Sequence, residues 1–178
     1  MVTNGSKGYV SCWKNGEVAV VDLNTNTITK KVKVGVGPEA VKVVGNKLFV
    51  ANSGGWGVDK TVSVIDLTTE TVIKTIDVKD CPRDIVVDKT GNLWVLCAGS
   101  VLYDANFNVV GNTTSALCKI DPSTYTVTTL TISEAIHPVQ LRINGNGDNL
   151  FYGADFGSKG IFKMSITATA TPTVAAVS

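Results

Sequence analysis

The sequence predicts an all-β fold, a β-propeller of four-stranded antiparallel blades, with about four blades present. Residues 38–44, 47–52, 61–67 and 71–78 are four short runs rich in Val, Ile and Thr. Each is closed by Gly, Asn or Thr-rich punctuation, so together they read as four consecutive antiparallel strands. The unit then returns. Pro82 follows Pro38 by 44 residues and Pro138 follows by 56 more, while Asp22, Asp66, Asp121 and Ser165 close successive third strands at intervals of 44, 55 and 44. Four strands per period of this length is the signature of a propeller blade.

Composition agrees and narrows the partners. The chain has 178 residues, enough for a sizeable core, and 44% of them are apolar. Sixteen basic residues stand against fifteen acidic ones, which argues against an electrostatic nucleic-acid or anionic-membrane binder. No stretch approaches the ~20 apolar residues of a membrane span, and no charged-then-apolar leader opens the sequence. Cys12, Cys81, Cys97 and Cys118 follow no Cys-x-x-Cys spacing. They read as buried free thiols, with a Cys97–Cys118 bridge between neighbouring strands as the lesser alternative.

The blades follow in order. Residues 1–9 align with residues 143–151, which places Met1 where a first strand ends. The blade at 1–34 is therefore expected to lack its first strand, and the chain to be part of a larger ring. Lys31 and Lys33 lie opposite Val32 and Val34 on that blade's last strand, where lysines blunt an open sheet edge. In contrast, Val18 to Val21 and Val62 to Ile65 are apolar without alternation, as in middle strands packed on both faces. The second blade spans 35–78 and the third 79–132, with an insertion at 99–114. The fourth, 133–178, ends in a weak, low-complexity strand at 169–177. Asp22, Asp66 and Asp121 precede turns and suit the fixing of hairpins through backbone N–H groups. Three repeat-equivalent aspartates stand apart around a ring and do not converge on one metal.

Loops after the second strand of each blade are expected on one face of a propeller, and each carries an aromatic: Trp13, Trp56, Tyr103 with Phe107, and Phe156. Large apolar groups in Gly-rich loops mark an interaction site or else fold back onto their own blade. The insertion outgrows its repeat-mates, as functional loops do. Glu39 and Arg83 each follow a proline at the start of an innermost strand. There they suit either orientation of a ligand or an ion pair between blades. Asp59 joins them on the loop of Trp56. The expected ligand set is therefore Trp13, Trp56, Tyr103, Phe156, Arg83, Asp59 and Glu39, with no cofactor and no metal.

Catalysis has little support. The single histidine, His137, builds no multi-histidine metal site. It precedes Pro138, where a hydrogen-bonding or exposed role is expected. There is no Gly-x-Ser-x-Gly, His-Glu-x-x-His or phosphate-cradling Gly loop. A lactonase would need Glu39, Asn52 and Asp155 to converge, and nothing in the sequence singles them out.

Phe49-Val50-Ala51-Asn52-Ser53-Gly54, Val62-Ser63-Val64-Ile65-Asp66, Thr71-Val72-Ile73-Lys74-Thr75-Ile76 and Pro82-Arg83-Asp84-Ile85-Val86-Val87 resemble the YVTN-type, surface-layer-like β-propeller repeat. The resemblance is closest in the second blade and poorest at the C-terminus. No Gly-His…Trp-Asp signature of the WD-repeat class appears. The resemblance implies a seven-bladed ring, of which this chain supplies about four blades. It also implies export to the cell surface or periplasm, often as a lipoprotein. Relatives of that kind include surface propellers that capture cobalamin, so the expected ligand is a corrinoid or another large small molecule. The alternatives are a surface or outer-membrane protein as partner, with the chain as an interaction scaffold, and a lactonase-type hydrolase.

Overall fold

The computed structural model describes residues 1–154 and 160–177. They form antiparallel sheets joined by tight turns, with one 3-10 turn at Trp13–Asn15. No described helix is long and apolar enough to cross a membrane. The chain divides into two compact units, Met1–Asp77 and Val78–Ser178.

The first unit holds two four-stranded sheets. One has the order β1 (Val2–Asn4), β2 (Lys7–Cys12), β3 (Glu17–Asp22), β4 (Thr27–Lys33); the other has the order β5 (Pro38–Val44), β6 (Lys47–Asn52), β7 (Thr61–Asp66), β8 (Thr71–Asp77). The blade expected to lack its first strand has one, three residues long. Gly5, at φ +58°, opens a two-residue turn that brings Val2 opposite Tyr9. Tyr9, Val18, Val20 and Val32 pack with Leu48, Val50, Ile65 and Leu67 into one core. The middle strands are buried on both faces: Val62, Ser63, Val64 and Ile65 are all enclosed. On β4 only Val32 is buried. Lys33 pairs with Glu17 on β3 at 3.0 Å and caps the Asn15 carbonyl at 3.1 Å, consistent with a solvated edge.

The second unit holds a sheet of order β14 (Val127–Ser133), β13 (Ser115–Ile120), β10 (Leu93–Cys97), β9 (Pro82–Val87). The insertion folds into a separate hairpin of β11 (Val101–Tyr103) and β12 (Val109–Asn112). A further sheet has β15 (Pro138–Ile143), β16 (Asn149–Ala154) and β17 (Ile161–Ser165). The fourth strand expected at 169–177 is reduced to one bridge, between Ile161 and Val177. Pro172 removes a ladder donor there, and Thr171 Oγ1 bonds instead to the Thr131 carbonyl at 2.6 Å. Trp94, Leu96 and Leu117 meet Leu141, Leu150, Tyr152 and Phe162 in the core of this unit, with the last two rings stacked 5.2 Å apart. The Arg142 guanidinium meets Asp84 at 2.6 Å, and Asp84 Oδ2 also accepts the Leu141 N–H.

The repeated aspartates perform one local task. Oδ1 of Asp22 accepts the N–H groups of Asn24 and Thr25, that of Asp66 those of Thr68 and Thr69, and that of Asp121 those of Ser123 and Thr124. Four residues after each aspartate the chain turns left-handed, at Asn26, Glu70 and Tyr125. The Thr69 N–H, first among these bonds, holds the Asp66 carboxyl below its ordinary range.

Candidate functional site

In the first unit two loops bring two tryptophans together. Trp13 begins the 3-10 turn that closes on Gly16 at φ +61°, and the Val34 N–H ties Gly16 through its carbonyl at 2.9 Å. Trp56 lies on the loop between β6 and β7. Its ring stands nearly perpendicular to that of Trp13, at 87°, with centroids 5.6 Å apart. An edge-to-face pair of this kind is favourable beyond the area it covers. Trp13 remains 37% exposed and Trp56 97% exposed, so the corner is open to solvent.

The Trp56 loop is held at backbone contact distance. A Cβ on Gly37 would come within 2.2 Å of the Gly55 nitrogen, and one on Gly54 within 2.3 Å of the Asp59 nitrogen. Both residues also have positive φ. Ser53 donates from N and Oγ to the Gly37 carbonyl, each at 2.9 Å. Asp59 completes the clamp: Oδ2 accepts the Val36 N–H at 2.9 Å, and Oδ1 accepts from Lys60 N and Thr61 Oγ1 at 2.6 Å each. Asp59 thus holds the loop that presents Trp56, with both oxygens engaged. Behind it, buried Asn52 donates to Thr61 and Ser63, while its Oδ1 is enclosed with no partner among the described residues. Glu39 is half-buried on β5, and its carbonyl accepts the Ser11 hydroxyl at 2.7 Å.

The second unit carries the other expected residues. Arg83 is half-buried on β9, and its Nε is enclosed without a partner among the described residues. Tyr103 ends β11 and is 57% exposed. Phe107 is at the hairpin tip, exposed and left-handed at φ +63°, within a turn fixed by Asp104 bonds to the Asn106 and Asn108 N–H groups. Phe156 and the rest of its loop lie outside the described residues. His137 has the hydrogen-bonding role: Nδ1 lies 2.8 Å from the Ala98 carbonyl and Nε2 3.0 Å from Asn112 Oδ1. It thereby fastens both roots of the hairpin, a pairing across 39 residues that spacing does not reveal.

Trp13 and Trp56 form an exposed apolar corner, and no cluster of three or more His, Cys, Asp or Glu side chains suited to a metal occurs among the described residues.

The family described as "Domain of unknown function (DUF5074)" matches residues 1–177. The chain belongs to this family. No curated protein matches it. Among solved structures, hydrazine synthase of Kuenenia stuttgartiensis is similar at a TM-score of 0.76 and 26% identity, over 94% of this chain and 45% of that one. A functionally unknown protein from Desulfotomaculum acetoxidans is similar at a TM-score of 0.68 and 17% identity, over 97% of this chain and 55% of that one. The DUF5074 chain therefore spans about half the length of each. These likenesses agree with propeller-like blades, and an architecture of this kind hosts many unrelated functions.

Proposed function

We propose that this DUF5074 chain is a non-catalytic binding module, about four blades of a larger β-propeller in an exported bacterial protein. Its proposed ligand is a large, flat small molecule such as a corrinoid. The observation that carries the reading is the Trp13–Trp56 corner, with a fully exposed indole on a loop clamped by Gly37, Gly54 and Asp59. A rigid aromatic side chain contributes contact area with little entropy to lose, and such side chains dominate binding hot spots. The YVTN-type resemblance supports export and the corrinoid class, and the half-length match to solved chains supports a larger ring. Glu39, on β5 of the same unit, is proposed to meet a polar group of the ligand, while Asp59 acts through the loop.

The test is retention of a coloured ligand. The chain is mixed with excess cyanocobalamin and desalted, and corrin absorbance is read in the protein fraction with tryptophan fluorescence. Colour and quenching that both disappear in Trp56→Ala are the expected result. Undiminished colour in that variant sinks the corner as the site, and absence of colour in the parent sinks the corrinoid.

One observation favours a second reading, a surface scaffold for a protein partner. The β11–β12 hairpin exposes Leu102, Tyr103, Phe107, Val109 and Val110 together. Hairpins of two strands are marginal alone and gain from being covered.

A further inference from the structure

Three of the four cysteines are buried in the second unit, and two of them touch. Cys97 ends β10 and Cys118 lies on β13, whose register sets Val95 opposite Cys118 and Cys97 opposite Ala116. The two cysteines therefore share a face, one diagonal step apart, and their Sγ atoms are 3.8 Å from each other with both residues fully enclosed. The pairing of β10 with β9 shifts by a residue between Leu96 and Cys97, where Arg83 is the extra residue on β9, while the pairing of β10 with β13 stays regular through Cys97.

We propose that Cys97 and Cys118 are a redox pair, closing into an intrachain disulfide at the root of the β11–β12 hairpin when the chain meets a low-molecular-weight disulfide. An S–S bond is about 2.05 Å long, so each sulfur moves by about 0.9 Å. The two thiols are unequal. Burial, above all, holds the Cys97 thiol up, and it donates to Cys118. That donation, with the Thr129 hydroxyl and the Lys79 N–H, brings Cys118 down to about 7. In the folding chain either thiol can attack; where a local opening of the folded chain admits the small disulfide, Cys118 is the attacking thiolate. It displaces one thiolate from the small disulfide and forms a mixed disulfide. Cys97 then loses its proton and attacks Cys118 Sγ, and the second small thiolate leaves. Two electrons and two protons pass to the small disulfide, which becomes two thiols. The burial of both sulfurs directs the exchange to the folding chain or to local opening.

The closed bond spans the whole insertion. It joins the strand before Ala98, which His137 holds through its carbonyl, to the strand after Thr113, whose N–H bonds to the Ser100 carbonyl at 2.8 Å. The hairpin that carries Tyr103 and Phe107 is then pinned covalently at its base.

The experiment uses the 178-residue chain, both folded and refolded from denaturant, in oxidised and reduced glutathione. Free thiols are alkylated and the peptides mapped by mass. The expected result is a Cys97–Cys118 linkage in at least the refolded sample, with Cys12 and Cys81 alkylated. It persists in Cys81→Ala, is absent in Cys97→Ser, and raises Tm by about 5 °C or more over the reduced chain. Four alkylated thiols in both samples, or a linkage through Cys81, overturns the proposal. The parent map decides the matter even where a variant fails to fold.

Discussion

Asp88 is a buried carboxylate that serves a tryptophan from inside its turn. Oδ2 accepts the Trp94 indole N–H at 2.9 Å, and Oδ1 accepts Thr90 N, Thr90 Oγ1 and Asn92 N. Burial pushes the Asp88 carboxyl up, but these bonds outweigh it and hold the group below its ordinary 3.8. Asp88→Ala leaves the buried indole N–H unpaired, at a cost of about 2 kcal/mol in urea unfolding at pH 7. Because the folded value is depressed, this stabilisation is present above the unfolded value and is lost as pH falls through the folded one. The gap between parent and variant should therefore narrow below pH 3.8. A gap that widens in acid contradicts the assignment. Tyr152 is the opposite case. Its hydroxyl is enclosed with no partner among the described residues, and burial pushes it up to about 12. Tyr152→Phe removes a hydroxyl that gains nothing, so stability at neutral pH is expected to hold or rise by up to about 1 kcal/mol. With a raised folded value, Tyr152 adds no pH dependence below its unfolded value near 10, and above it the unfolded chain ionises first, so stability falls as pH rises towards 12. The parent should lose stability over that alkaline range more steeply than Tyr152→Phe. Parallel profiles exclude Tyr152 as the source.

Among the elements, the Trp56 loop is one whose shape depends on glycine. Gly37 has φ +59°, and any Cβ there would meet the Gly55 backbone. Gly37→Ala is expected to destabilise the first unit by roughly 2 kcal/mol and to displace the loop. The check is a denaturant midpoint with near-ultraviolet dichroism of the tryptophans. An unchanged midpoint and spectrum would show that the clamp does not hold the corner. The strands themselves were plain in the sequence, because non-alternating runs such as Val62 to Ile65 announce burial on both faces. The Asp–turn repeat was equally plain at Asp22, Asp66 and Asp121. The role of Asp59 was not. A carboxylate beside an exposed tryptophan looks available to a ligand until its bonds to Val36, Lys60 and Thr61 are seen, one of which comes from 23 residues away. The sequence predicts a loop for the insertion, and the structure has a hairpin there. Its registers, Val101 with Asn112 and Leu102 with Gly111, need the tip turn built by Asp104, whose spacing resembles any polar loop.

Over the whole molecule, the 44-residue interval was sufficient to predict antiparallel four-stranded sheets, because each unit repeats the same punctuation. It failed at both ends for local reasons. Val2–Asn4 was too short to register as a run, and Pro172 interrupts the 169–177 segment, which keeps one bridge. The ligand was not legible, since a repeat encodes blades and leaves function to loops that differ between them. The meeting of Trp13 with Trp56 is the feature that two separate loops conceal in the sequence. That corner is the centre of the functional account, and equilibrium dialysis against cyanocobalamin tests it most directly, with the parent, Trp56→Phe and Trp56→Ala compared at equal Tm. The account predicts saturable binding, a modest loss for Phe, and at least about a tenfold loss for Ala, near 1.4 kcal/mol. Equal affinity in all three proteins, or no saturable binding by the parent, would contradict it.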